Sequence, residues 1–517
     1  MGARRIAVFA VPALILYMTW GTGIHSDDYP YLRMAQQLDW RGYLLPDLSA
    51  ITVLIFGPFS YYFDFFPYFA FGSHFLPGYD LYKFLTAVTC VGLTYCFATD
   101  YLPRERALLV ACLFVLLPIH DSTLYWNAAL IYALAPALIL FAHHLVRHKN
   151  YIAGSFLSLF GAFATYASPP YTFGLGLIFL IEREWKKAVC FMTPGVIYVA
   201  YYFSVSRLPG VSKGRIQPDL QVSTFAKQYL LQLGSFLDTA IGPSFWLKLW
   251  YSASAITLLS LLVGALAFGL FAVNFKAIPI QAGKKYSLFG GLFAVLALAF
   301  AMFALTGFYP QMAFNLGNRV VVYGALLLSF LIVFLPLKRA GFCLIAAALL
   351  LSALGLSDHW KAWNLQQQAV MDNIRKNPDL AALGNRDLVL VAGNSFSKLG
   401  PFGHIDFFSE TSIAGSAFIY SLGDVPVYKL HSISRRYRYT NGELIDRKYG
   451  ERIAIDTDVV IYESEKDTVL RMPAAQLDHY LSGLPVDVRH WIQLLGDGPL
   501  KSTILALMPR LGYLFDT

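Results

Sequence analysis

Residues 6–29 read IAVFAVPALILYMTWGTGIHSDDY. An apolar run follows Arg4 and Arg5 and gives way, within a few residues, to the adjacent carboxylates Asp27 and Asp28. Neighbouring carboxylates repel each other, and close to lipid they are also partly desolvated. Such a pair binds a cation, takes up a proton or faces water. The run lacks a small-x-small cleavage site, and many apolar runs follow it, so it reads as a retained helix and not as a signal peptide.

The rest of the chain agrees with a membrane reading. Of 517 residues, 57% are hydrophobic and 14% are charged, whereas soluble domains carry roughly a quarter charged residues. Aromatic residues make up 16%, which suits interfacial belts. The net charge of +8 is spread over short loops and points to membrane orientation, not to nucleic acid. The five cysteines all lie in apolar runs, so neither a disulfide framework nor a CxxC metal site is expected.

A spanning helix needs about 20 mostly apolar residues, and on that measure the chain offers about eleven spans. They fall near 5–22, 79–99, 105–119, 127–146, 151–167, 169–182, 187–206, 251–273, 286–307, 319–337 and 340–357. With the N-terminus cytoplasmic, the inner loops hold Arg104, Arg106, Arg147, Lys149, Arg183, Lys186, Lys187, Lys276, Lys284, Lys285, Lys338 and Arg339. The outer loops hold Asp27, Asp28, Asp39, Asp47, Asp121, Asp219 and Asp238. This is the distribution that the positive-inside rule requires. Residues 51–76 are apolar but broken by Gly57-Pro58, Asp64 and Pro67, so they read as a re-entrant or interfacial part of the first outer loop, 23–78.

The expected organisation is a polytopic α-helical membrane domain over 1–357 and an extracytoplasmic α/β or α+β domain over 358–517. In the latter, 388–391 and 459–462 read as strands. Residues 435–449 read as a hairpin turning at Asn441-Gly442, and 363–383 and 472–483 read as helices.

Several groups carry candidate chemistry. Asp27 or Asp28, with Tyr29 and Arg33 nearby, has the character of a general base at the outer face, and the same residues also suit a solvated, capped loop start. His120-Asp121, before Tyr125-Trp126-Asn127, is a second outer constellation, able to tune a proton or bind metal, or else to cap a helix beside an aromatic belt. In Asn315-Leu316-Gly317-Asn318-Arg319, an arginine at a span's start suits either ordinary headgroups or a bound lipid phosphate. Arg207, Lys213 and Arg215 form a basic strip, and Arg435, Arg436 and Arg438 alternate with tyrosines on a strand expected to face solvent. Walker A, G-x-S-x-G and H-E-x-x-H motifs are absent, and no cytoplasmic segment is large enough for a nucleotide domain. The energy for chemistry outside the cell therefore has to arrive with the substrate.

These features together resemble the integral-membrane glycosyltransferases of the GT-C fold: protein O-mannosyltransferases, the lipid A aminoarabinose transferase, mycobacterial arabinosyltransferases and the GtrII-like enzymes. In that group an acidic pair follows the first span, as Asp27-Asp28 does here. The resemblance implies a polyprenyl-phosphate-sugar donor and a glycan, lipid or protein acceptor, with membrane lipids as surroundings and no nucleic acid. It implies Asp27 and Asp28 as catalytic residues, Arg319, Arg33 and Tyr29 near the donor phosphate, and His120, Asp121 and Asn318 in support. It implies the bacterial cytoplasmic membrane, with the C-terminal domain periplasmic. The carboxylates permit a divalent metal, but no residue spacing demands one. The C-terminal domain lacks the WWDYG-type signature expected of oligosaccharyltransferases, which argues against that branch. The rival readings are a flippase for lipid-linked glycans and a non-catalytic glycan-assembly factor.

Overall fold

A computed structural model describes residues 2–45, 57–207, 216, 221–275, 285–307, 310–385, 387–447, 450–455 and 458–507. Lys213, Arg215, Lys276 and Lys284, and the first part of segment 51–76, lie outside them. The chain forms two compact units. The first comprises residues 1–23, 35–313 and 317–359; the second comprises 24–34, 314–316 and 360–517.

The first unit is helical. Each of the eleven apolar runs lies in helix, but the helices are shorter and more broken than a simple count implies. Six are long and apolar enough to cross a membrane: Leu76–Ala98, Asn127–Arg147, Trp185–Val205, Lys285–Thr306, Leu316–Phe334 and Arg339–Lys376. A seventh arises if Val222–Ser254 and Leu258–Val273, bent by 112° at their junction, count as one. Tyr151–Ala164 and Pro169–Ile181 have only 14 and 13 residues. Of the expected eleven or so spans, several of them short, six or seven are helices long and apolar enough to cross a membrane among the described residues. Hydropathy measures how apolar a run is, whereas prolines and glycines decide how far a helix continues. Residues 58–71 of the broken segment form a helix with Pro58 in its first turn, where the missing N–H costs nothing.

Helices meet through small residues. A Cβ on Gly174 would lie 2.5 Å from the backbone nitrogen of Val295, so Pro169–Ile181 and Lys285–Thr306 approach as closely as backbone allows. Buried polar pairs also pin the unit. Asp80 accepts from the backbone N–H of Gly21 at 2.7 Å and of Gly23 at 2.9 Å, and Lys83 donates to Thr22 Oγ1 at 2.9 Å and to the Gly23 carbonyl. The turn that closes the first helix is therefore fixed by one carboxylate and one ammonium of the next long helix.

The 38-residue helix Arg339–Lys376 does not stop at 357. At 1.5 Å per residue it is about 57 Å long, well beyond the roughly 30 Å of a hydrocarbon core. Its sequence turns polar at Asp358-His359, but no helix-breaking residue follows.

The second unit contains strands β1 (Leu388–Ala392), β2 (Phe396–Leu399), β3 (Phe402–Asp406), β4 (Lys429–Ser432), β5 (Tyr437–Thr440), β6 (Glu443–Asp446), β7 (Arg452–Ala454), β8 (Val459–Glu463) and β9 (Thr468–Met472). A four-stranded sheet runs β4-β1-β8-β9, with β1 parallel to β4 and β8, and β9 antiparallel to β8. The central strand LVLVA is buried on both faces, hence its unbroken apolar sequence. The expected hairpin is β5–β6. It pairs Thr440 with Glu443 and turns through Asn441 and Gly442, both with positive φ, as a two-residue hairpin turn requires. Leu390, Ile433, Leu444, Val459, Ile461 and Leu477 centre its core.

Arg436 differs from the expectation of a solvent-facing strand. It is held between Glu410 at 3.0 Å and Asp446 at 3.0 Å, and stacks on Tyr437. Burial pulls its pKa down, but the hydrogen bond and charge of Glu410, with Tyr437, outweigh that and hold it above the ordinary arginine value. Sequence alternation could not reveal these partners, because Glu410 lies far away in the chain.

Candidate functional site

The acidic pair lies in the second unit, where a turn leads into the helix Asp28–Gln36. Ser26 adopts φ of 51°, a left-handed conformation unfavourable for a residue with a Cβ. Gly21 and Gly23 just before it are also left-handed. Ser26 is buried, and the turn delivers two neighbouring carboxylates to different environments. Asp28 is fully buried, and its Oδ2 accepts from the backbone N–H of His25 at 2.8 Å. Asp28 also opens the helix Asp28–Gln36, where a carboxylate is favoured by the helix dipole. Asp27 remains partly accessible.

Around the turn is a network that sequence reading did not find. With the Gln367 amide oriented to satisfy all its neighbours, its oxygen accepts from His25 Nδ1 at 2.7 Å and Trp363 Nε1 at 2.8 Å. Its nitrogen donates to Tyr29 Oη at 2.8 Å and to the Ile24 carbonyl at 3.2 Å. His25 also packs edge-on against Trp360, and Tyr29 against Phe407 and Tyr420. Gln367 and Trp363 lie on the long helix, more than 300 residues from the turn, and nothing local to 25–29 announces them. Tyr29 is placed differently from a phosphate ligand: it is buried, its hydroxyl is engaged by Gln367, and burial raises its pKa well above the ordinary tyrosine value. Arg33, one turn further along the helix, is exposed.

The second constellation lies in the first unit. Residues 118–126 form two short helical turns, Pro118–His120 and Ser122–Tyr125. Leu316–Val321 forms a 3-10 turn that carries Asn318 and Arg319. Asp121 is buried and receives Lys248 Nζ at 2.8 Å and Asn318 Nδ2 at 2.6 Å. Lys248 also donates to the Ala313 carbonyl at 2.7 Å. Asn318 Oδ1 accepts from Ser122, through its backbone N–H at 3.2 Å and its hydroxyl. The structure therefore brings Asp121 and Asn318 together and adds Lys248, whose only sequence signal is a lone cation between Trp246 and Trp250.

His120 is fully buried beside them, with Nδ1 at 2.8 Å from Thr123 Oγ1 and Nε2 without a hydrogen-bond partner among the described residues. Burial pushes its pKa down to about 4, against the opposing pull of Asp121, so the ring is neutral at physiological pH. Asp121 is committed to Lys248 and Asn318, and together these contacts form a brace for the loop bearing Arg319.

Arg319 is partly buried, with its guanidinium 5.3 Å from the Trp126 ring centre and 5.5 Å from that of Tyr132. A cation held between two aromatic faces keeps its charge while losing little conformational freedom, a suitable arrangement for meeting an anion in a poorly hydrated place.

No protein-family model matches the sequence, and no curated protein does. Among solved structures the chain is similar to ArnT from Cupriavidus metallidurans bound to undecaprenyl phosphate, with 12% identity and a TM-score of 0.37, covering 83% of this chain and 86% of that one. It is also similar to the Archaeoglobus fulgidus oligosaccharyltransferase, in a complex with zinc and sulfate, with 14% identity and a TM-score of 0.38. That match covers 81% of this chain and 62% of that one. A second structure of the same oligosaccharyltransferase, tethered to an acceptor peptide, has 13% identity and a TM-score of 0.38, covering 83% and 64%. Both proteins are glycosyltransferases of the GT-C fold. All these TM-scores lie below 0.5.

Proposed function

We propose that this chain is a membrane glycosyltransferase of the GT-C kind. It would move a sugar from a polyprenyl-phosphate donor to a hydroxyl of a glycan, lipid or protein at the extracytoplasmic face of the bacterial cytoplasmic membrane. The observation that carries the reading is the left-handed turn at Ser26. It buries Asp28 as a structural acceptor and leaves Asp27 partly accessible. Backbone strain held at a carboxylate is a recurrent property of active sites.

In the proposed step the acceptor oxygen attacks the anomeric carbon from the face opposite the phosphate. The new C–O bond forms as the bond to the phosphate oxygen breaks, so the anomeric centre inverts. The acceptor's proton passes to Asp27, and polyprenyl phosphate leaves as the anion. Arg319, flanked by Trp126 and Tyr132, is the first unit's candidate ligand for a donor phosphate. The proton and charge balance holds with or without a divalent cation. Asp28, His25 and Gln367 position the turn, and Asp121, Lys248 and Asn318 position the arginine. An apolar cavity of about 250 Å³ between helices of the first unit, lined by Leu14, Leu109, Leu113, Phe271 and Leu349, has the chemistry to hold hydrocarbon.

The test is transfer of labelled sugar from membrane lipids to acceptor in membranes holding wild type or Asp27→Asn at equal protein levels. Asparagine keeps the shape but takes no proton at neutral pH. Loss of transfer in the variant supports the assignment, and equal transfer removes Asp27 from it. No transfer in either sample favours the flippase reading.

A further inference from the structure

A second cluster lies away from both groups, where two helices of the first unit end. Asp100 follows the last turn of Leu76–Ala98, and His144 and His148 stand one turn apart at the end of Ile131–Arg147. His144 Nδ1 is 3.0 Å and His148 Nε2 2.9 Å from the same oxygen, Asp100 Oδ1, and the three donor atoms lie within 4.8 Å of one another. The other oxygen, Asp100 Oδ2, is buried and makes no hydrogen bond among the described residues; it faces Arg147 Nε at 3.9 Å.

We propose that Asp100, His144 and His148 form a binding site for a divalent transition-metal ion of the zinc class. Two imidazoles and a carboxylate are the borderline donor set such ions prefer. Ligands about 2.0–2.1 Å from zinc are separated by about 2.9 Å at a right angle and about 3.3 Å at the tetrahedral angle. The two nitrogen–oxygen separations already fall at the near end of that range. The third gap closes by turning His148, whose side chain is 61% exposed. On binding, each neutral imidazole shifts its proton from the nitrogen that faces Asp100 to the other ring nitrogen, so two N–H···O contacts give way to two N–metal bonds without net loss of protons. Solvent reaches the exposed side and supplies the remaining ligand.

The charges nearby permit a dication. Arg147 is the adjacent cation, but it is held by Glu182 at 3.0 Å and by Tyr101 Oη at 2.7 Å. With neutral histidines the set Asp100, Glu182 and Arg147 is net negative. Both helices also direct their C-terminal ends, which carry partial negative charge, toward the cluster. A metal here would staple the ends of two helices that the sequence joins only through residues 99–130.

Full-length protein in detergent, stripped of metal by chelator, is titrated with Zn2+ by calorimetry and with Co2+ by visible absorption. The comparison is with Asp100→Asn and with His148→Gln. Glutamine retains a hydrogen bond to Asp100 but is a poor ligand, so this variant folds. The expected result is one equivalent more metal on the wild type than on either variant. Zn2+ is also expected to raise the unfolding temperature of the wild type alone, and Mg2+ to raise that of none of the three. Equal stoichiometry and equal thermal shifts in all three proteins, or no binding by the wild type, would overturn the site and leave it a hydrogen-bonded helix clasp.

Discussion

The carboxylate of Asp28 closes back on the His25 backbone N–H at 2.8 Å, while that of its neighbour Asp27 does not share its full burial. Two chemically identical residues thereby acquire different duties. Asp27→Asn is expected to abolish sugar transfer in a protein that still folds. Asp28→Ala removes a charged acceptor from a buried amide and is expected to cost about 1–3 kcal/mol. Thermal unfolding run beside the transfer assay separates the two. Normal stability in Asp28→Ala would refute the structural role.

Arg319 offers a test of geometry against charge. Arg319→Lys keeps the positive charge but loses the planar fork and its fit between Trp126 and Tyr132. The donor KM is expected to rise about tenfold, equivalent to about 1.4 kcal/mol, with kcat less affected. An unchanged KM would remove Arg319 from donor binding.

Lys248 and Asp121 are a fully desolvated ion pair. Breaking such a pair from one side leaves an uncompensated charge, so Lys248→Met should cost about 3–5 kcal/mol. Lys248→Met combined with Asp121→Asn should recover part of that loss. A double-mutant cycle on unfolding free energies measures the coupling, and simple additivity would contradict it.

His120 makes stability depend on pH. Its folded pKa, about 4, lies below the ordinary 6.5, so the unfolded chain binds the extra proton first. The contribution is complete above pH 6.5, declines as the pH falls from there, and is fully lost below about pH 4. By linkage it amounts to about 3 kcal/mol. His120→Gln should flatten the profile of unfolding temperature over that window relative to wild type. Parallel profiles would show that the ring is not held neutral.

Much of the architecture was legible in residues 6–29 and in the apolar runs that follow, because hydropathy acts locally and each run declares its helix. The β5–β6 hairpin was equally legible, since Asn441-Gly442 tolerates positive φ and little else does so as cheaply. Helix ends were less so: Pro169 and the bend near 254–258 cut spans that composition alone would have lengthened, and Arg339–Lys376 runs past the point where its sequence turns polar.

By itself, then, the sequence determined a helical membrane unit, a mixed sheet after it, and the position of an acidic pair after the first helix. These depend on composition and short-range periodicity. Only the tertiary structure decided which aspartate is buried, that Tyr29 is spent on Gln367, that Asp121 answers Lys248 across 127 residues, and that Asp100 receives two histidines of another helix. The physical reason is common to all four. A buried polar group must find a partner, and the partner is chosen by packing across helices, at separations along the chain to which no local pattern gives access.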